Sequence, residues 1–158
     1  MIIGYKVVTK SRESYCSILD SNLISNLSLK YKKRSIIRAN IMTNGIMFFL
    51  SLSDLVHFIN TSVKSYYISY LNRKELPKSF TVLKKELEEK SDFTIIRIVV
   101  TKYSTNVKIL HYLSDINIFC SLLKKFGSEG LVMKDDSLTY FDAPRGTCAT
   151  KDEIYVID

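Results

Sequence analysis

Polar and apolar positions along the chain set out a succession of short strands with a few helices between them. The stretch G-Y-K-V-V-T at 4–9 predicts an opening strand with Tyr5, Val7 and Thr9 on one face. Residues 11–27, rich in serine and asparagine, are expected to form a loop with a short strand or helical turn. S-L-K-Y-K at 28–32 alternates as an exposed strand. A stronger strand is expected at 36–42, a turn at Thr43-Asn44-Gly45, and a buried strand at 46–50, so that the pair forms a hairpin.

A helix should start at Ser51 or Ser53, where a hydroxyl can accept from a free amide, with Leu55, Phe58 and Ile59 as its apolar stripe. Strand character returns at 66–71, followed by a polar connector to Lys78. Ser79 should cap a helix through Lys90, with Phe80, Leu83 and Leu87 on one face and a charged opposite face. The segment 93–102 is the cleanest strand and 106–112 another. Ser114 should cap a third helix through Phe126, which Gly127 stops. Residues 131–134 and 138–141 read as a hairpin across Asp135-Asp136-Ser137, and 154–157 as a closing strand. The expected fold class is therefore α+β: a single domain over 1–158, mainly antiparallel sheet, with about three helices.

Two segments echo each other. I-I-R starts at Ile36 and at Ile95, 59 positions apart, and L-S-D starts at Leu52 and at Leu113, 61 apart. Each unit reads strand, turn, strand, helix, which would suit an internal duplication with two hairpins in one sheet.

Composition adds origin rather than mechanism. Lys, Ile, Asn, Tyr and Phe are abundant, while the chain of 158 residues has three alanines, two prolines and no tryptophan. The favoured residues have AT-rich codons, as expected of a large DNA virus, a phage or a low-GC bacterium. Hydrophobic content of 46% and charged content of 25% are those of an ordinary globular protein. The longest apolar run, at 46–50, is far short of the roughly 18 residues of a membrane span. Residues 1–10 carry two lysines and no long apolar stretch, unlike a signal peptide. Cys16, Cys120 and Cys148 are odd in number and widely spaced, so neither a disulfide framework nor a zinc site is expected. Reduced thiols and a cytoplasmic location, in a host cell or a virion, fit better.

The net charge of +7 is unevenly placed. Residues 1–80 hold twelve Lys and Arg against four Asp and Glu, and residues 81–158 hold eleven against twelve. The excess suits a polyanion or a neighbour of opposite charge. Lys30, Lys32, Lys33, Arg34 and Arg38 are its core, with Tyr31 among them; Lys64, Arg73 and Lys74 lie near Tyr66, Tyr67 and Tyr70. Cations interleaved with aromatic rings suit phosphate contacts and base stacking. On an edge strand the same lysines would discourage aggregation.

No motif for catalysis is present. The five glycines form no phosphate loop, and there is no G-x-S-x-G or H-E-x-x-H. His57 and His111 stand alone in apolar surroundings. Glu88/Glu89, Asp135/Asp136 and Asp152/Glu153 are adjacent pairs whose carboxylates diverge. No cofactor is expected. One loop could hold an anion, D-A-P-R-G-T at 142–147, through Arg145 and the amides near Gly146; it could equally be a turn before the last strand.

The Y-K-V-V opening at 5–8, the G-I-M-F-F-L-S strand at 45–51 and A-P-R-G-T at 143–147 before a final strand together resemble small uncharacterised domains of giant DNA viruses and some phages. The resemblance implies no activity. The strand-helix order also resembles ADP-ribosyltransferase-like folds, in a degenerate form: the His-Gly-Thr opening of that family is missing, and Glu153 would stand for its catalytic glutamate. The expected function is interaction or assembly through protein contacts, including self-association. A nucleic-acid or nucleotide binder is the alternative, and no membrane is involved.

Overall fold

The computed structural model describes residues 1–13, 29–39, 45–62, 79–110 and 140–158. The described residues form an α+β fold. A six-stranded antiparallel sheet contains β1 (Ile2–Thr9), β2 (Ile36–Ile37), β3 (Ile46–Phe49), β4 (Phe93–Val100), β7 (Thr147–Thr150) and β8 (Ile154–Val156) in the order β2-β8-β4-β1-β3-β7. A two-stranded sheet pairs β5 (Lys108–Leu110) with β6 (Tyr140–Asp142). Two helices accompany them, α1 (Leu52–Ser62) and α2 (Phe80–Lys90).

The central pair β1–β4 is in register from Ile2↔Val100 to Thr9↔Phe93. Alternation sends its odd-numbered residues to one face and its even-numbered residues to the other. On the odd face Val7, Phe49 and Ile95 pack against Leu55, Val56 and Ile59 of α1 and Leu83 and Leu87 of α2. Both helices start where a serine can accept from an exposed amide. Ser51 Oγ accepts from Asp54 N–H at 3.1 Å, and Ser79 Oγ from Val82 N–H at 3.2 Å.

On the even face Val8, Phe48, Ile96, Ile98, Val100, Cys148, Ile154 and Val156 form a second core. Both faces thus carry a core, which is why β4 reads as a near-continuous apolar run. The even face also holds Lys6. Its ammonium donates to the Met47 carbonyl at 2.8 Å and lies 5.2 Å from the centre of the Tyr31 ring, so the buried charge is accommodated.

Several expectations are corrected here. The 36–42 and 46–50 strands do not form a hairpin: β2 is an edge strand paired with β8, while β3 lies between β1 and β7. Gly45 does take a positive φ of 96°, and a Cβ there would lie 2.1 Å from the Thr150 carbonyl oxygen. The close approach is to β7, not to a turn partner. Nor does β4 pair with β5. The two I-I-R triplets therefore occupy an edge strand and a central strand, without the paired hairpins that a duplication predicts. The 28–32 strand reduces to a single bridge, Glu13↔Lys30, and Tyr31 is fully buried rather than exposed. Residues 140–142 pair with β5; the hairpin partner expected at 131–134 lies outside the described residues. A strand that pattern reading missed, β7, is formed by T-C-A-T, a short run bounded by Gly146 and Lys151-Asp152. The third helix at 114–126 and the strand at 66–71 lie outside the described residues.

Candidate functional site

The sheet order separates the residues picked out as anion contacts. Lys30, Lys32, Lys33 and Arg34 lie along the segment that enters edge strand β2 and Arg38 directly follows it, all exposed. Arg145 precedes β7, at the opposite edge, and cannot join them. Arg38 pairs with Glu153 at 2.8 Å on the outside of the molecule. Among the described residues no carboxylate pairs with Lys30, Lys32, Lys33 or Arg34. The second basic-aromatic stretch, 64–74, lies outside the described residues.

The 142–147 loop is a turn docked on the start of α1. Arg145 Nε lies 3.4 Å from Asp54 Oδ1, and the Thr147 amide donates to the Pro144 carbonyl at 3.0 Å, with the Thr147 hydroxyl bonded to the same oxygen. Gly146 has φ 81°, and a Cβ on it would fall 2.3 Å from the Asp54 carboxylate. Arg145 Nε and the Thr147 amide are thus turned to Asp54 and to the loop itself.

Cys148, buried and free, has its thiol pushed up by burial and then by the nearby Asp54 charge. A thiol so held is a poor nucleophile. His57 is half-buried on α1. Glu88 accepts from the Thr94 hydroxyl at 2.6 Å, tying α2 to β4. Among the described residues no cluster of His, Cys, Asp and Glu is placed to hold a metal, and no helix is long and apolar enough to cross a membrane. Cys16, Cys120, His111 and Asp135/Asp136 lie outside the described residues.

One charged pair is built into the frame. Arg97, on the odd face of β4, donates from Nε to Asp158 Oδ2 at 2.7 Å and from a terminal nitrogen to Oδ1 at 2.9 Å, and sits 5.0 Å from the Phe80 ring centre. The bidentate bond from Arg97 holds the Asp158 carboxyl below its ordinary value, against the opposing effect of burial. Because the folded value is depressed, this contribution is complete above the unfolded carboxylate value, about 3.9, and is lost as pH falls through the folded value. Acid titration of the melting temperature should therefore show a drop below about pH 4 that Asp158→Asn flattens. The variant should be less stable than the parent at pH 7 and converge with it at the acid end; parallel curves would contradict this.

The feature that sequence reading missed is a row of apolar side chains across four strands. Ile3 pairs with Val99, Val99 with Tyr155 and Tyr155 with Ile36, so all four project from the odd face. At about 4.8 Å per strand the row is about 14 Å long. Among the described residues the helices cover the odd face as far as the Tyr5–Arg97 pair, where Phe80 caps it. Beyond that line Ile3 is 47% exposed, Tyr155 41% and Ile36 62%, with Met1 alongside at 94%. Met1, Ile36, Val99 and Tyr155 line an open groove of about 400 Å³ whose rim carries Asp152 and Glu153. No single segment marks it: β2 and β8 look like short edge strands, and only the register aligns their outward residues with β1 and β4. No family model, curated protein or solved structure matches the chain.

Proposed function

We propose that this is a non-enzymatic interaction protein, of the kind that large DNA viruses and phages encode, and that a protein partner docks on the Ile3–Val99–Tyr155–Ile36 row. The observation that carries the reading is the uncovered end of the odd face. A sheet face that is apolar where helices cover it normally becomes polar where they stop. Here it stays apolar over four strands and is rimmed by charge, the arrangement of an interaction surface. Tyr155 adds a large, rigid side chain of the type that interfaces favour. The AT-rich residue usage supports the proposed origin. Replacing Ile36 and Tyr155 together by lysine should leave the melting temperature within a few degrees of the parent, since both are exposed, and should abolish self-association or partner capture in size-exclusion chromatography with light scattering. Retention of the same assembly by the double variant would contradict the reading.

A further inference from the structure

Arg34 occupies a backbone position that normally belongs to glycine. Its φ is 58°. The Arg34 amide donates to the Val156 carbonyl at 2.8 Å, and the Val156 amide donates to the Ser35 carbonyl at 2.9 Å. Two residues thus face one across the β2–β8 edge, a bulge whose first residue is left-handed. Glycine fills that place at no steric cost, whereas a side chain there costs about 1–2 kcal/mol. Among the described residues two others with side chains share this conformation, and each has a local explanation. Asn106 is of a type that tolerates it. Arg12, at φ 66°, donates from Nε to the Tyr31 carbonyl at 2.7 Å and from a terminal nitrogen to the Asp158 carbonyl. Arg34 has no such contact: its side chain is exposed and, among the described residues, makes no hydrogen bond or ion pair. The strain therefore supports nothing inside the fold.

The surroundings give the side chain a use outside it. Tyr31 is fully buried, its amide donates to the Arg12 carbonyl at 2.7 Å, and Ser35 Oγ bonds the Lys32 carbonyl. The segment is fixed at both ends, so Lys30, Lys32, Lys33 and Arg34 are presented together from a held turn, without paired carboxylates. Binding to such a turn carries little ordering cost. Edge protection alone would be served by the lysines with glycine at 34. The four cations stand exposed, and with Tyr31 buried the turn's own ring is not offered to stack on a base. A ligand that matches four cations on an open surface is a dense, regular line of charge, such as a phosphodiester backbone.

We propose that the turn of Lys30, Lys32, Lys33 and Arg34 binds the phosphate backbone of nucleic acid without reading its bases, and that the bulge exists to place Arg34 in that array. The proposal is independent of the apolar row. The test titrates the full chain against fluorescein-labelled 20-mers of mixed sequence, single- and double-stranded, with Arg34→Gly as the decisive variant. The parent should bind at low salt irrespective of sequence. For about four duplex phosphates, log K should fall against log salt with a slope of about −3 to −4, a loss of about a hundredfold between 50 and 200 mM. Arg34→Gly should melt no lower than the parent, because release of the left-handed strain offsets the added chain freedom, yet bind several-fold more weakly with a slope reduced by about one. Absence of binding at low salt overturns the proposal. So does binding that Arg34→Gly leaves unchanged, or equal competition by polyglutamate at matched charge, which would assign the turn to acidic protein instead.

Discussion

Tyr31→Ala is expected to cost about 3–5 kcal/mol, the range for truncating a fully buried aromatic side chain. With lysines on both sides, the residue reads in sequence as part of an exposed basic edge. In the fold it is the plug that seats the basic segment on the even-face core, with Lys6 against its ring and its amide bonded to Arg12. The loss would take a large share of a typical domain stability of about 5–15 kcal/mol. An exposed tyrosine at the same place would change stability by no more than about 0.5 kcal/mol. Urea denaturation separates the two outcomes directly.

The second large effect lies where β1 crosses the ring of Phe48. Phe48 is fully buried, edge-on to Tyr103 at 5.9 Å between centroids, and a Cβ on Gly4 would fall 2.4 Å from its Cδ2. Phe48→Ala should cost about 3–5 kcal/mol by removing the ring and leaving a cavity. Gly4→Ala alone should be destabilising, because the ring must move. In the Phe48→Ala background the same change enters space the ring has left, and its cost should disappear. The double-mutant cycle should therefore show a coupling of about 1–3 kcal/mol. Additive effects would mean that the glycine is required for some reason other than the ring.

These two sites show what was legible in the sequence. Period and caps are local, and where they govern, the elements stand where they were expected: β1, β3, α1 from Ser51, α2 from Ser79, β4 and β8. Pairing is not local. Asn44-Gly45 is a good hairpin signal, and Gly45 has the expected positive φ. Yet the strand beside β3 is β1 on one side and β7 on the other, because burying both faces of β3 in the middle of a sheet outweighs a short-range turn. β7 escaped notice because T-C-A-T has no alternation to display: all four residues are buried. The basic segment was recognised as charged, but only the fold shows that its tyrosine points inward and that Arg34 sits at a glycine position. The apolar row was invisible for a related reason. Its members come from four separate strands, and Ile36 and Tyr155 each look like single exposed residues until the register places them side by side.

The claim that this row is a docking face is tested most directly by attaching a photoreactive group at position 155 in place of Tyr155 and irradiating the protein in its native source, with the same group at exposed Glu89 as the comparison. The account predicts one discrete cross-linked species from position 155, either a dimer or a single partner, that is absent from position 89 and disappears when Ile36→Lys is added. No cross-link from position 155, or the same products from both positions, would contradict it.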